Sequence, residues 1–317
     1  MKSSGIGGQA VMEGIMMRNG DRYAVGVRKS NGEIVVKKDT YRGVAAKCRL
    51  FSRPFIRGFF SLIDSLVLGM KSLTFSADQF AEEEEEEEPG RFEKWLEDKF
   101  GDKLEKAIMD LTMVISVLLA VLIFMVFPTL VSSWMRPVLG NGFWMALFEG
   151  VLRIAIFIAY VGLVSLMKDI RRTYMYHGAE HKCINCIEHG LDLTVDNVMK
   201  SSKEHKRCGT SFMLIVMVIS ILFFLVIRPE NIWLKVLTRV ILIPVISGVS
   251  YEFLRLAGSS DSKLVDLLSR PGLWLQGLTT KEPTPDMVEV AIQAVEAVFD
   301  WKKYLADNFP QKQGEQG

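Results

Sequence analysis

Histidine and cysteine are scarce in this chain of 317 residues, which has only four of each. All the histidines and three of the cysteines nevertheless fall between His177 and Cys208, so imidazole or thiol chemistry has to be sought there. Net charge is nearly absent, at +1, and no basic and aromatic pattern calls for nucleic acid. Met1–Gly20 carries no apolar core, so no secretory signal is expected there and the first membrane span serves as its own insertion signal. No repeat of about 20 to 50 residues is found.

What the chain has is apolar sequence in blocks. Hydrophobic residues make up 49% of it and mean hydropathy is +0.21. Residues 107–127 are broken only by Asp110, and 143–167 only by Glu149 and Arg153. Residues 211–227 carry no charge, and 232–251 only Lys235 and Arg239. Each block approaches the ~20 residues that cross a bilayer. The expected fold class is therefore mainly α: a helical integral membrane protein with about four transmembrane helices, whose partner is the lipid bilayer. Glu149 and Arg153, spaced i, i+4, read as an internal ion pair, and Arg239 is matched with Asp110.

Lys168, Arg171, Arg172, Lys182, Lys200, Lys203, Lys206 and Arg207 lie between the second and third blocks, whereas the other inter-block segments offer only Arg136 and Arg228. The positive-inside rule makes segment 168–210 cytosolic, with both termini on that side of the cytoplasmic membrane. Its cysteines then sit in a reducing compartment, where ligands and buried thiols outnumber disulfides.

Residues 1–53 read as a small β-rich unit. Tyr23, Val25 and Val27 alternate, as do Ile34 and Val36, across a hairpin signal at Asn31-Gly32. The Gly5, Gly7, Gly8 run lacks a leading strand and a following Lys-Ser or Lys-Thr, so it reads as a turn. Residues 54–80 fit an amphipathic helix on the membrane, because Arg57, Asp64 and Lys71 punctuate it at helical spacing. Residues 81–106 give an acidic linker, with seven glutamates at 82–88, and an interfacial helix. Residues 259–306 give C-terminal cytosolic helices: one amphipathic stretch with Leu264, Leu267, Leu268 and Trp274 and a break at Pro271-Gly272, then one from Pro285 to Leu305. Residues 307–317 form a polar tail.

The chemistry centres on His177, Glu180 and His181, an H-x-x-E-H pattern that places both imidazoles on one helical face. Neutral imidazoles bind a metal, and a carboxylate beside the open position takes a proton from a water that the ion has acidified. Glu180 is the candidate base. A third ligand comes from His205, Cys208 or Glu252. A rival arrangement, Cys183-x2-Cys186 with His205-x2-Cys208, has the spacing of a closed structural zinc site. A redox Cys-x-x-Cys would need a thioredoxin-like setting that is missing. The mixture of His and Cys favours zinc among divalent cofactors.

Three blocks carry a family resemblance: Gly7-Gly8-Gln9-Ala10-Val11-Met12-Glu13-Gly14-Ile15-Met16-Met17-Arg18, then Tyr176-His177-Gly178-Ala179-Glu180-His181-Lys182, then His205-Lys206-Arg207-Cys208-Gly209-Thr210-Ser211. Together they resemble the YqhQ-like bacterial membrane proteins over nearly the whole chain, with Lys206 in place of an expected proline. The resemblance implies a multi-pass protein regarded as a metal-dependent enzyme. His177, Glu180, His181, His205 and Cys208 match its pattern, as do Gln9, Glu13 and Arg18, whereas Cys183 and Cys186 do not. It also implies that the N-terminal block folds against the site, with Glu13 a further ligand or base. The functional expectation is a metal-dependent hydrolase; the alternatives are a scaffold factor with a structural zinc site and, third, a transporter.

Overall fold

Alternating side chains from Ile6 to Thr40 form a four-stranded antiparallel sheet in the computed structural model, which describes residues 2–44, 48–81, 102–140, 142–229, 231–259 and 262–310. The strands β1 (Ile6–Val11), β2 (Gly14–Asn19), β3 (Arg22–Arg28) and β4 (Ile34–Thr40) lie side by side in sequence order. β3 and β4 are the predicted hairpin. The glycine run is not a turn: Gly7 and Gly8 belong to β1, where Ile6 pairs with Asn19 and Val11 with Gly14. Close approach explains why glycine stands in a strand here, since a Cβ on Gly8 would lie 2.6 Å from the Met16 carbonyl oxygen.

The rest is helical: α1 (Ile56–Ala81), α2 (Asp102–Val121), α3 (Phe127–Trp134), α4 (Arg136–Leu139), α5 (Phe143–Val164), α6 (Lys168–Glu188), α7 (Val195–Lys200), α8 (Gly209–Val226), α9 (Ile232–Ser259), α10 (Lys263–Thr279), α11 (Pro285–Val298) and α12 (Trp301–Asn308). The acidic linker at 82–88 and most of the interfacial helix expected up to residue 106 lie outside the described residues, as does the tail from 311.

Contacts divide the chain into two units. The first comprises residues 1–80, 161–220 and 229–317. Its sheet is covered on both faces. On one, Ile15, Met17 and Ala24 pack with Tyr176 and Cys183 of α6 and with α11. On the other, Met16, Val25 and Val27 pack with Leu68 of α1, and Phe75 adds to that cluster. Apolar residues on both faces bury the central strands β2 and β3, whereas β4 stays half-buried to exposed.

α1 turns an unusual stripe inward: Asp64, Leu68, Ser72 and Ser76 are buried, while Leu66, Met70 and Leu73 are exposed. Two of its charges find partners within the chain. Asp64 accepts from the Tyr41 hydroxyl (3.1 Å) and the Val44 N–H (2.8 Å), and the Lys71 ammonium lies 5.4 Å from the Tyr41 ring centre. Near its start, α1 meets α9, where Gly58 faces Gly248 and Tyr251.

Among the described residues, five helices rather than four are long and apolar enough to cross a membrane: Ile56–Gln79, Leu111–Trp134, Phe143–Val164, Gly209–Val226 and Val236–Gly258. The addition is α1, whose charges count for little by composition. The first block also runs past its expected end at residue 127. A π-helical turn, Leu122–Val126, precedes Pro128 and carries the helix through a residue that lacks an N–H. Prolines 244 and 271 are likewise inside α9 and α10, so the expected break at Pro271-Gly272 does not occur. The last predicted helix instead divides at Asp300, whose carboxylate caps α12 by accepting from the Lys303 N–H.

The second unit comprises residues 81–160 and 221–228. Within it Arg153 donates to Glu149 at 3.1 Å, as the i, i+4 spacing predicts, and to the Phe124 carbonyl at 3.1 Å. Thr129 also donates to Glu149. The Asp110 side chain, matched with Arg239 on sequence grounds, lies outside those described.

Candidate metal centre

One helix with two working faces organises the site. On α6, Tyr176, Ala179, Cys183, Cys186 and Ile187 follow a three-and-four spacing and enter the core beneath the sheet. The adjoining stripe, His177, Glu180, His181 and Ile184, lines a cavity of about 500 Å³. The segment 168–210, expected as a loop, is therefore mostly helix.

Each imidazole on that stripe is held by a main-chain carbonyl. His177 Nδ1 lies 2.9 Å from Thr279 O, and His181 Nδ1 lies 2.6 Å from Lys203 O. A carbonyl can only accept, so each Nδ1 carries the proton and each Nε2 presents a lone pair. Cys208 Sγ lies 3.3 Å from His177 Nε2 and accepts the Thr210 N–H at the start of α8. The ligand atoms of His177, His181 and Cys208 all lie within 4.8 Å of one another. Zinc ligated at roughly 2.0–2.3 Å separates its tetrahedral ligands by about 3.3–3.8 Å, so a small contraction brings these three into range. Carbonyl-anchored imidazoles are also the usual outer support of a metal site. Two imidazoles and a thiol are donors of the kind that a zinc ion takes.

The order of Gly178 between these residues has a steric cause. A Cβ there would lie 2.0 Å from Lys281 O, so only glycine admits the segment after α10 against α6. That approach delivers Thr279 O to His177, and Lys281 N–H to Tyr174 O at 2.9 Å. Gly178→Ala is expected to cost about 3 kcal/mol and to loosen metal retention, measured by thermal unfolding and by zinc content after dialysis.

Several expected ligands are elsewhere. His205 is buried, but its Nδ1 accepts the Arg207 N–H at 3.3 Å and its Nε2 faces Glu188 at 3.5 Å, the outer limit of a hydrogen bond. It is outside the three-atom cluster because Gln276 grips its main chain, accepting from His205 N (3.0 Å) and donating to His205 O (2.8 Å). Burial holds the His205 imidazole below its ordinary value. Glu188 would be raised by burial, yet donors from His205, Ser4 and Arg207 outweigh it and bring the carboxyl down to about 2. Glu252 pairs bidentately with Arg57 (2.7 and 2.5 Å), not with the histidines. Glu13, at φ +45° in the β1–β2 turn, pairs with Arg172 and accepts from Tyr176. The N-terminal block does fold against α6, but through β1 and this pair.

Cys183 and Cys186 are core residues, so the four residues of the closed zinc site are not brought together. Burial pushes the Cys183 thiol well up and the Cys186 thiol up to about 11, and Cys186 Sγ–H points at Asp192 O (3.4 Å). His189 turns its Nδ1 to Asn185 O at the end of α6. Glu180 is buried beside the cluster without belonging to it, and the Gly8 N–H is directed at its carboxylate. Burial raises its pKa, offset in part by His177 and that N–H.

Sequence reasoning missed the groups that set this geometry. Lys182 donates to Met199 O and Ser201 O (2.9 Å each), and Asn185 to Ser202 O (2.7 Å) and Glu204 O (2.9 Å). These bonds press the 199–205 segment onto α6 and so place Cys208. Lys182 directly follows the motif, but its burial, rare for a lysine unless it is paired, shows only in the fold.

Residues 53–301 match a family described as "Protein of unknown function (DUF1385)". The chain is also 35% identical over 290 residues to "Uncharacterized protein YqhQ" of Bacillus subtilis (strain 168), covering 91% of this chain and 90% of that protein. No solved structure gives a significant match. With the family match extending over α6, Cys208 and the segment that anchors His177, the chain belongs to the DUF1385 family.

Proposed function

We propose that this protein is a membrane-embedded, zinc-dependent hydrolase whose site opens at the cytosolic face of the bilayer. The carrying observation is the convergence of one ligand atom each from His177, His181 and Cys208, with each imidazole Nδ1 held by a main-chain carbonyl, in a cavity that also holds Glu180. Three protein donors leave a position for substrate, whereas a structural zinc site has four.

A zinc ion bound there would polarise a scissile carbonyl and acidify water. Glu180 takes one proton from the attacking water. As the C–O bond forms and the C–N or C–O bond of the substrate breaks, Glu180 passes that proton to the leaving atom. The second water proton departs with the carboxylic acid product. A carboxyl raised by burial is suited to both halves of this transfer.

Four membrane spans and an interfacial α1 fit this architecture. The sheet, α6 and α11 share one core, so the chain crosses an even number of times between them. Three apolar helices separate β4 from α6, and α1 is the one that packs lengthwise on the sheet through Leu68 and Phe75. Its exposed Leu66, Met70 and Leu73 suit the lipid interface. The basic residues of 168–210 support a cytosolic side for this core under the positive-inside rule.

The test is zinc analysis of purified protein alongside hydrolysis of nitrophenyl ester and nitroanilide probes. Glu180→Gln is expected to keep the metal and lower turnover by about 10²–10⁴-fold. Undiminished turnover in that variant would remove Glu180 from the chemistry. A zinc-loaded wild type inert to every probe would favour the structural role, a scaffold factor.

A further inference from the structure

We infer that the substrate is a peptide bound in extended form as a fifth strand along β1, a reading that rests on the zinc-hydrolase assignment and specifies its substrate. β1 is an edge of the sheet, and its residues Ile6 to Ala10 line the same cavity as His177 and His181. The strand pairing fixes which main-chain groups face that cavity. Val11 and Gly14 flank a two-residue turn, so Val11, Gln9 and Gly7 bond to β2, and Ala10, Gly8 and Ile6 turn outward.

Two outward N–H groups already show the direction. Ile6 N–H reaches Ser4 Oγ at 3.3 Å, and Gly8 N–H is directed at Glu180. Among the described residues, no hydrogen-bond partner reaches the N–H or carbonyl of Ala10. A half-buried edge that keeps the Ala10 groups unpaired beside a cavity is a template for strand addition. Running from Ile6 to Ala10, it spans about 13 Å at the rise of a β-strand, enough for an extended segment of about four residues.

The carboxylate that moves the proton is thus tied to the strand that would hold the peptide. A backbone paired with Ala10 and with the Gly8 carbonyl passes beside Glu180, whose carboxyl lies against Gly8, and beside the three metal donors. The lining also includes Leu62, Phe212, Met213 and Leu254, which suits hydrophobic side chains at alternate positions. A phospholipid headgroup finds little there. Arg207 is the one cation among the lining residues, and it is bound to Glu188 and Ser3.

Full-length zinc-loaded protein in nanodiscs tests this with three hydroxamates: acetohydroxamate, a tetrapeptide hydroxamate of leucine and phenylalanine, and a decanoyl hydroxamate of similar length. Binding is read by calorimetry. The peptide compound is expected to bind at least about 100-fold more tightly than acetohydroxamate, and N-methylation of one strand-pairing amide to cost about fivefold to tenfold, the worth of one hydrogen bond. Ala10→Pro, which removes an outward N–H that an edge strand can forgo, should produce a similar loss for the peptide compound and none for the other two. Equal affinity of the decanoyl and peptide compounds, or indifference to N-methylation, overturns strand addition while leaving the metal reading intact. Failure to take up zinc or acetohydroxamate overturns both.

Discussion

Glu188→Ala should unfold the sheet-containing unit under conditions where the unaltered protein keeps it folded. The Glu188 side chain is fully buried, and one of its oxygens gathers the Ser4 N–H (2.7 Å), the Ser4 hydroxyl (2.8 Å) and the Arg207 guanidinium. Removing one member of a buried charge pair leaves the other uncompensated, at a cost of about 3–5 kcal/mol. That is a large fraction of the stability of a typical domain. Hydrogen exchange at β1–β3 and α11 should accelerate together, and Glu188→Gln, which keeps the shape, should fall between the two.

The same cluster makes the unit acid-labile. Glu188 lies at about 2 against an ordinary 4.5, so its stabilisation is complete above about pH 4.5 and is lost as pH falls toward 2. The shift amounts to on the order of 3 kcal/mol. His205, held below its ordinary 6.5 chiefly by burial, against the opposing pull of Glu188, acts in the same direction: stability begins to fall below about pH 6.5. In Glu188→Gln the step between about pH 4.5 and 2 should disappear from a denaturation profile. Its persistence would assign that step to another carboxylate.

His181→Ala should reduce zinc from about one ion per chain to a trace retained only in excess metal. Two donors remain in that variant, and the chelate that holds zinc against dialysis needs three or four. Elemental analysis distinguishes the candidates sharply. Cys208→Ala should behave like His181→Ala, because its Sγ is the third converging atom. Cys183→Ser should leave the stoichiometry unchanged despite some loss of stability, since that thiol is a core group. His205→Ala should also retain zinc, and a loss as complete as that of His181→Ala would make His205 a ligand after all.

The pair His177 and His181 was legible because i, i+4 spacing is a local property of a helix. The β3–β4 hairpin and the Glu149–Arg153 pair were legible for the same reason. Choosing among His205, Cys208 and Glu252 was not, because the choice turns on partners distant in sequence: Gln276 holds His205 away, and Arg57 takes Glu252. The two cysteines of Cys183-x2-Cys186 share a helical face with each other but not with His181, which spacing alone does not reveal until the core side of α6 is known. β1 was hidden by its glycines. Their poor strand propensity is overridden by a contact with Met16 that no local pattern announces.

The anchoring of His177 by Thr279 sets a schedule for biosynthesis. β1–β4 leave the ribosome first and α6 follows after three apolar helices, yet the carbonyl that orients His177 is in residue 279 and the helix that covers the sheet begins at Pro285. Until nearly the whole chain has been translated, Ile15, Met17 and Ala24 lack the α11 part of their cover, and the first imidazole is free to rotate. The nascent protein therefore cannot orient His177 until its apolar helices have all been made, and a chain truncated before residue 279 would carry every proposed ligand and still hold His177 loosely.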